Sequence, residues 1–173
     1  MTLEGRTALV TGSTSGIGRA AAESLAARGA TVIVTGRDPQ RAEAVVAQIA
    51  ASGGTARAVT ADLTKPEGVA ALTSLDGVDI LVNNAGVYRF LPTSGTGPAV
   101  FDLLLEVNLR VPFLLGQALI PRMAEHGGGS VVNVSTVAAR VGTATSAAYG
   151  AAKAGLESLT RAWAAEYGPQ GVS

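Results

Sequence analysis

Short runs of β-branched and aliphatic residues alternate with longer amphipathic stretches along the whole chain. Thr7-Ala-Leu-Val-Thr11 reads as a brief buried strand leading straight into glycines, and Thr31-Val-Ile-Val-Thr35 as a second. Ala56 to Thr60, Val78 to Val82 and Ser130 to Val134 supply three more. Helical patterns lie between them. Residues 16 to 28 place Ile17, Ala20, Ala21 and Leu25 on one stripe, and Gly29 is a stop signal. Asp38 caps a helix that Pro39 opens and Ser52-Gly-Gly54 breaks. Further helices are predicted over about 66 to 75, 99 to 110, 112 to 125 and 148 to 167, with Pro112 opening the third of these. A looser loop runs from Tyr88 to Pro98.

Strands separated by helices of this length pair in parallel, because a parallel pair needs a long crossover. Right-handed crossovers then wind helices onto both faces. The predicted fold is α/β, a doubly wound parallel sheet, in a single domain over residues 1–173.

Composition narrows the chemistry. The 173 residues are 47% apolar with zero formal net charge, which argues against disorder. No basic excess suggests nucleic acid, and no polybasic segment suggests an anionic membrane. Cysteine is absent, excluding disulfides, thiolate metal sites and a cysteine nucleophile. The single histidine, His126, sits at a helix end and reads as a solvated residue, so no metal site is expected. Residues 1 to 6 lack a signal-peptide pattern, and no run approaches the roughly 18 apolar residues of a membrane span. A soluble, cytoplasmic protein is the default expectation.

Two motifs carry the chemistry. In Thr11-Gly-Ser-Thr-Ser-Gly-Ile-Gly18, Gly12 and Gly16 allow a sharp turn where side chains would collide with a pyrophosphate. Gly18 lets the following helix approach the strand, and its amino end offers unpaired N–H groups to phosphates. At the tip of the second strand, Thr35-Gly-Arg37 has no carboxylate for a ribose 2′-hydroxyl. Arg37 suits a 2′-phosphate through charge-assisted hydrogen bonds, so NADP(H) is expected over NAD(H). The alternative is a solvated arginine beside a capping Asp38.

The second motif is Tyr149 and Lys153, in Ser146-Ala-Ala-Tyr-Gly-Ala-Ala-Lys-Ala-Gly155. Four residues apart on a helix, they share a face and project into one cleft. A phenol that exchanges protons near neutrality needs its pKa lowered by roughly three from about 10, or about 4 kcal/mol. An ammonium about 4 Å away supplies on the order of 4 kcal/mol at an effective dielectric of about 20. Lys153 is therefore expected to lower the pKa of Tyr149.

On these residues the chain resembles the short-chain dehydrogenase/reductase family over essentially its whole length. Thr11 to Gly18 is similar to the family's Thr-Gly-x-x-x-Gly-x-Gly turn, and Tyr149 and Lys153 to its Tyr-x-x-x-Lys. Ala61-Asp-Leu63, Asn83-Asn-Ala-Gly86 and Asn108 in Glu106-Val-Asn-Leu109 are similar to three further family motifs. The resemblance implies a Rossmann-like sheet of order 3-2-1-4-5. It implies a cofactor site built from Gly12, Ser13, Thr14, Ser15, Gly16, Ile17, Gly18, Arg37, Asp62, Leu63, Asn84, Ala85 and Gly86, with Tyr149 and Lys153. Asp62 would meet the adenine, Lys153 the nicotinamide ribose, and Asn108 would organise a water-linked proton path.

Two positions depart from that pattern. The family places a serine after the fifth strand to hold the substrate carbonyl. An ungapped count back from Tyr149 puts Thr136 there, and a one-residue slip would present Ser135. The chain also stops at Gly171-Val-Ser173, where relatives enter a sixth strand and a substrate-covering region. It is expected to be either a fragment or a chain whose C-terminal region is missing here.

The expected activity is NADP(H)-dependent interconversion of a small-molecule carbonyl and a secondary alcohol, with Tyr149 as acid/base. A non-catalytic dinucleotide-binding or oligomerisation module is the alternative. The resemblance implies a homodimer or homotetramer paired through apolar helices 99 to 125 and 149 to 167.

Overall fold

Five strands, β1 (Thr7–Val10), β2 (Thr31–Gly36), β3 (Thr55–Thr60), β4 (Ile80–Asn83) and β5 (Ser130–Asn133), form one sheet in the order β3-β2-β1-β4-β5. Every pairing is parallel, as the crossovers predict. The structure, a computed structural model, describes residues 2–173. Helices α1 (Gly16–Ala27), α2 (Pro39–Ala51), α3 (Pro66–Thr73), α4 (Pro98–Leu105), α5 (Val111–Glu125) and α6 (Ala147–Tyr167) cover the two faces.

Strand register sorts the side chains into two layers, because successive residues point to opposite faces. Leu9 stands opposite Ile33 and Leu81, and all three pack with Leu72 of α3 and with Leu115 and Leu119 of α5. Ala8, Val10, Val32, Val34 and Val82 join Ala22 and Ala26 of α1 and Val45 and Ile49 of α2. Each fully buried Leu or Ile contributes about 1.5–3 kcal/mol. The chain leaves β1 on one face and returns to β4 from the other, so a crevice opens where β1 and β4 end.

Turn chemistry acts as the sequence suggests. Asp38 accepts hydrogen bonds from the N–H groups of Gln40 and Arg41 at the start of α2. Gly29, at φ 96°, closes α1 with bonds from Gly29 N to Ala26 O and from Ala30 N to Leu25 O.

Two expectations are corrected. The buried stripe of α1 is Gly18, Ala22 and Ala26, whereas Ile17 is 69% exposed. Small residues win the packing face because they let the helix lie close to the sheet. The second correction concerns helices 99 to 110 and 112 to 125, which form one continuous helix, Pro98–Glu125. They are joined by a π turn over Glu106–Arg110, and Pro112 sits in the first turn of α5 without ending the helix. By length and composition this 28-residue helix is apolar enough to cross a membrane, and half of its most apolar stretch is buried inside the domain. Leu104, Leu115 and Leu119 on it are core residues.

At the β5 side, Val131 N donates to Ser173 O and Ser173 N to Gly129 O, so residues 172–173 lie parallel to the start of β5. Val132 nevertheless remains 50% exposed.

Candidate functional site

The crevice at the β1 and β4 ends is a cleft of about 640 Å³, walled by Gly12, Thr14, Ser15, Arg37, Asp62, Leu63, Asn84, Ala85 and Gly86 among the expected residues. Gly12 adopts φ 65°, and a Cβ there would stand 3.0 Å from Ala85 Cα. The β1 turn thus runs against the β4 loop with no room for a side chain. Thr11 fixes this junction: its hydroxyl donates to Val82 O and accepts from the N–H groups of Asn84 and Ala85. Asn84 Nδ2 donates to Thr11 O and Gly12 O. A Cβ on Gly18 would meet Asn84 Nδ2 and lie 2.6 Å from Gly12 O. Gly18→Ala is therefore expected to lower cofactor affinity at least about tenfold and to cost about 1–3 kcal/mol. Cofactor titration and chemical unfolding check both numbers.

Some expected residues lie elsewhere. Ser13 is fully buried, with its hydroxyl donating to Val10 O and accepting from Thr35 N, so its side chain braces β1 against β2. Gly16 begins α1 at φ 54°, and Gly18 packs behind the turn. Sequence reasoning missed Arg41, Thr64, Val87 and Val107 on the cleft wall. Arg41 carries no motif of its own; its place beside Arg37 follows from where the capped first turn of α2 leaves the β2 tip.

The Asp62 end of the cleft is strongly polar. Asp62 Oδ1 accepts from Thr64 N at 3.0 Å and Thr64 Oγ1 at 2.8 Å. Those bonds, with Arg37 and Lys65 nearby, hold the Asp62 carboxyl below its ordinary range. With Arg37 and Arg41 on the same wall, the cleft offers two guanidinium groups at this end. The turn that a Cβ would obstruct and this cationic wall suit a phosphorylated dinucleotide.

At the other end, two side chains converge on Gly86. A Cβ there would lie 2.9 Å from Asn108 Oδ1 and 3.7 Å from Lys153 Nζ. Asn108 is fully buried in the π turn; its Nδ2 donates to Val87 O and Leu104 O, and its Oδ1 accepts from Val87 N. Pro112 has no N–H, so the Asn108 carbonyl lacks its ordinary i+4 donor. Lys153, 3% exposed, donates from Nζ to Val134 O at 2.8 Å.

Tyr149 lies one turn before Lys153, with its ring edge-on to Phe90 at 6.4 Å. Leu91 N donates to Thr145 O, which ties the β4 loop to the segment entering α6. Thr145 is the one non-glycine residue with positive φ among the described residues, at 64°, a strained geometry for a β-branched side chain. The expected lowering of Tyr149 is not present: burial pushes its phenol up and pushes the Lys153 ammonium down. Lys153 directs its charge at the Val134 carbonyl, and desolvation of the ring dominates.

Both hydroxyls after β5 have protein partners. Ser135 Oγ donates to Glu157 Oε1 at 2.9 Å, and Thr136 Oγ1 accepts from Ala138 N at 3.3 Å as the cap of a short 3₁₀ turn over Val137–Ala139. His126 lies at the end of α5, exposed, with Nδ1 2.7 Å from Arg122 O, away from the cleft.

Known proteins resemble this arrangement over nearly the full chain. The family model described as short chain dehydrogenase matches residues 6–173. D-threitol dehydrogenase of Mycolicibacterium smegmatis is 38% identical over 98% of this chain and 67% of its own length. A solved structure described as a short chain dehydrogenase/reductase family protein is 50% identical, with TM-score 0.94, over 99% of this chain and 72% of that one. A metagenomic short-chain oxidoreductase solved in complex with NADP is 38% identical, with TM-score 0.94, over 99% of this chain and 80% of its own.

Proposed function

The chain belongs to the short chain dehydrogenase family and is an NAD(P)-dependent oxidoreductase, and from that premise we propose that it interconverts a small-molecule carbonyl and a secondary alcohol, with NADP(H) as its cofactor. One observation supports this most directly. Lys153 and Asn108 meet at Gly86, on the same β4 loop that holds the glycine turn through Ala85. The Tyr149 helix therefore adjoins the cleft at Gly86, which supports reading the two as one site.

Gly12, Thr14, Ser15 and the amino end of α1 would hold the pyrophosphate; Arg37 and Arg41 would hold the 2′-phosphate. Asp62 and Leu63 would flank the adenine, and Lys153 would reach the nicotinamide ribose. When bound, the nicotinamide supplies the hydride in reduction and a positive ring charge in oxidation. Tyr149 gives its phenolic proton to the carbonyl oxygen as the alcohol forms, and takes it back in the reverse direction. Asn108 holds the Val87 backbone and the π turn, so its own carbonyl is presented to the water path that re-protonates Tyr149.

Phe101 and Phe113 on the long helix are each 42% exposed and suit self-association as a homodimer or homotetramer, which light scattering measures directly.

Removing one charge-assisted phosphate contact costs about 1.5–3 kcal/mol. Arg37→Ala is thus expected to raise KM for NADPH about 10- to 100-fold and to leave KM for NADH within about threefold. Parallel initial-rate titrations with the two cofactors check this. Equal effects on both would assign Arg37 to the surface.

A further inference from the structure

Two consecutive residues after β5 are pinned to two consecutive turns of α6. Val134 O receives Lys153 Nζ, and Ser135 Oγ donates to Glu157, one turn further along the helix. Arg140, beyond the short 3₁₀ turn, donates from Nε to the other Glu157 oxygen at 2.9 Å. The Glu157 side chain is only 17% exposed, so the carboxylate closes both ends of residues 135–140 onto the helix. Its two oxygens are each taken by a different part of the loop.

Thr136 is extended, with φ −150° and ψ 156°, so its side chain leaves the backbone opposite to that of Ser135. Its oxygen accepts from Ala138 N, and its hydroxyl hydrogen is given to no protein group among the described residues. Ser135 has the reverse condition, since its hydrogen is committed to a carboxylate. A carbonyl oxygen needs a donor. Of the two, Thr136 has one to offer.

We infer that Glu157 is a positioning residue: by holding Ser135 and Arg140 it sets the register of the loop so that Thr136, and not Ser135, donates to the substrate oxygen. The inference rests on the reading of Tyr149 as the acid/base. Glu157 touches neither substrate nor cofactor in this account and acts only through the loop. An ionised carboxylate is maintained there because Arg140 and Ser135 hold its pKa below the ordinary range.

The test is a set of variants in the full chain, assayed with NADPH and a ketone panel, with cofactor Kd and unfolding midpoint measured alongside. Thr136→Val is expected to lower kcat about 100-fold or more, the size of one lost donor to a developing oxyanion, and Thr136→Ser to restore most of it. Glu157→Ala and Ser135→Ala are each expected to lower kcat about 5- to 20-fold with cofactor Kd within about twofold, and the double variant to be no worse than either single one. Glu157→Gln, which still accepts from Ser135, should recover at least half of the loss. A Ser135→Ala loss equal to that of Thr136→Val would overturn the inference. So would multiplicative effects at 135 and 157, or a Glu157→Ala enzyme with unchanged kcat. Tyr149→Phe is run in parallel: retained turnover there removes the acid/base reading itself, whatever the order among the other variants.

Discussion

Tyr149→Phe is expected to lower kcat for ketone reduction about 100- to 10,000-fold, with NADPH affinity within about threefold of the parent. The change deletes one oxygen and keeps the ring, so the edge-on contact with Phe90 survives. Phenylalanine leaves the carbonyl oxygen without a proton source as negative charge develops on it. Binding should be spared because the proposed phosphate site, at the glycine turn and the two arginines, lies at the far end of the cleft. A variant that loses cofactor binding and turnover together would place Tyr149 in the architecture of the cleft and not in the chemistry.

The second large effect belongs to Lys153. Lys153→Met keeps the length and apolar stem of a residue that is 3% exposed, and deletes the ammonium that donates to Val134 O. A fall in kcat of about 100-fold is expected, together with a displaced pH profile. Oxidation needs the phenolate and therefore rises with pH; reduction needs the phenol and falls at high pH. Burial already pushes Tyr149 up. An ammonium that came within about 4 Å of the phenolate during the reaction would oppose that by on the order of 4 kcal/mol at an effective dielectric of about 20. Its removal should move both limbs upward by about one to three pH units, as read from kcat against pH in each direction. Unmoved limbs would mean that Lys153 serves only as a buried post under Val134.

Most of the architecture was readable because the strands are short apolar runs bounded by turn residues and the helices carry caps. Leu9, Ile33 and Leu81 fall in register on one face and Val10, Val34 and Val82 on the other, as alternation requires. Periodicity does not say which side of a helix faces the core and which faces a cleft. Ile17 was assigned to the packed stripe for that reason, yet in the first turn of α1 it stands 69% exposed. Pro112 looked like a helix start because its lack of an N–H breaks regular α geometry. A π turn absorbs that defect, which residue patterns do not encode.

The site divided the same way. The glycine turn, Asn108, Tyr149 and Lys153 were visible as spaced motifs. Arg41 was not, because its place beside Arg37 comes from the angle at which α2 leaves β2. The electrostatics were also hidden: Lys153 lies four residues from Tyr149, yet its hydrogen bond to Val134 O is a tertiary fact. The choice between Ser135 and Thr136 likewise turns on Glu157, whose contact with the loop spans 22 residues of sequence.

Transfer of deuterium from NADPH deuterated at both C4 positions is the most direct measurement of the central claim, that this cleft joins a dinucleotide to a proton donor for carbonyl reduction. The account predicts one deuterium on the carbinol carbon per NADPH consumed, and none washed into solvent. Oxidation of the labelled cofactor with no deuterium on the product carbon would contradict it.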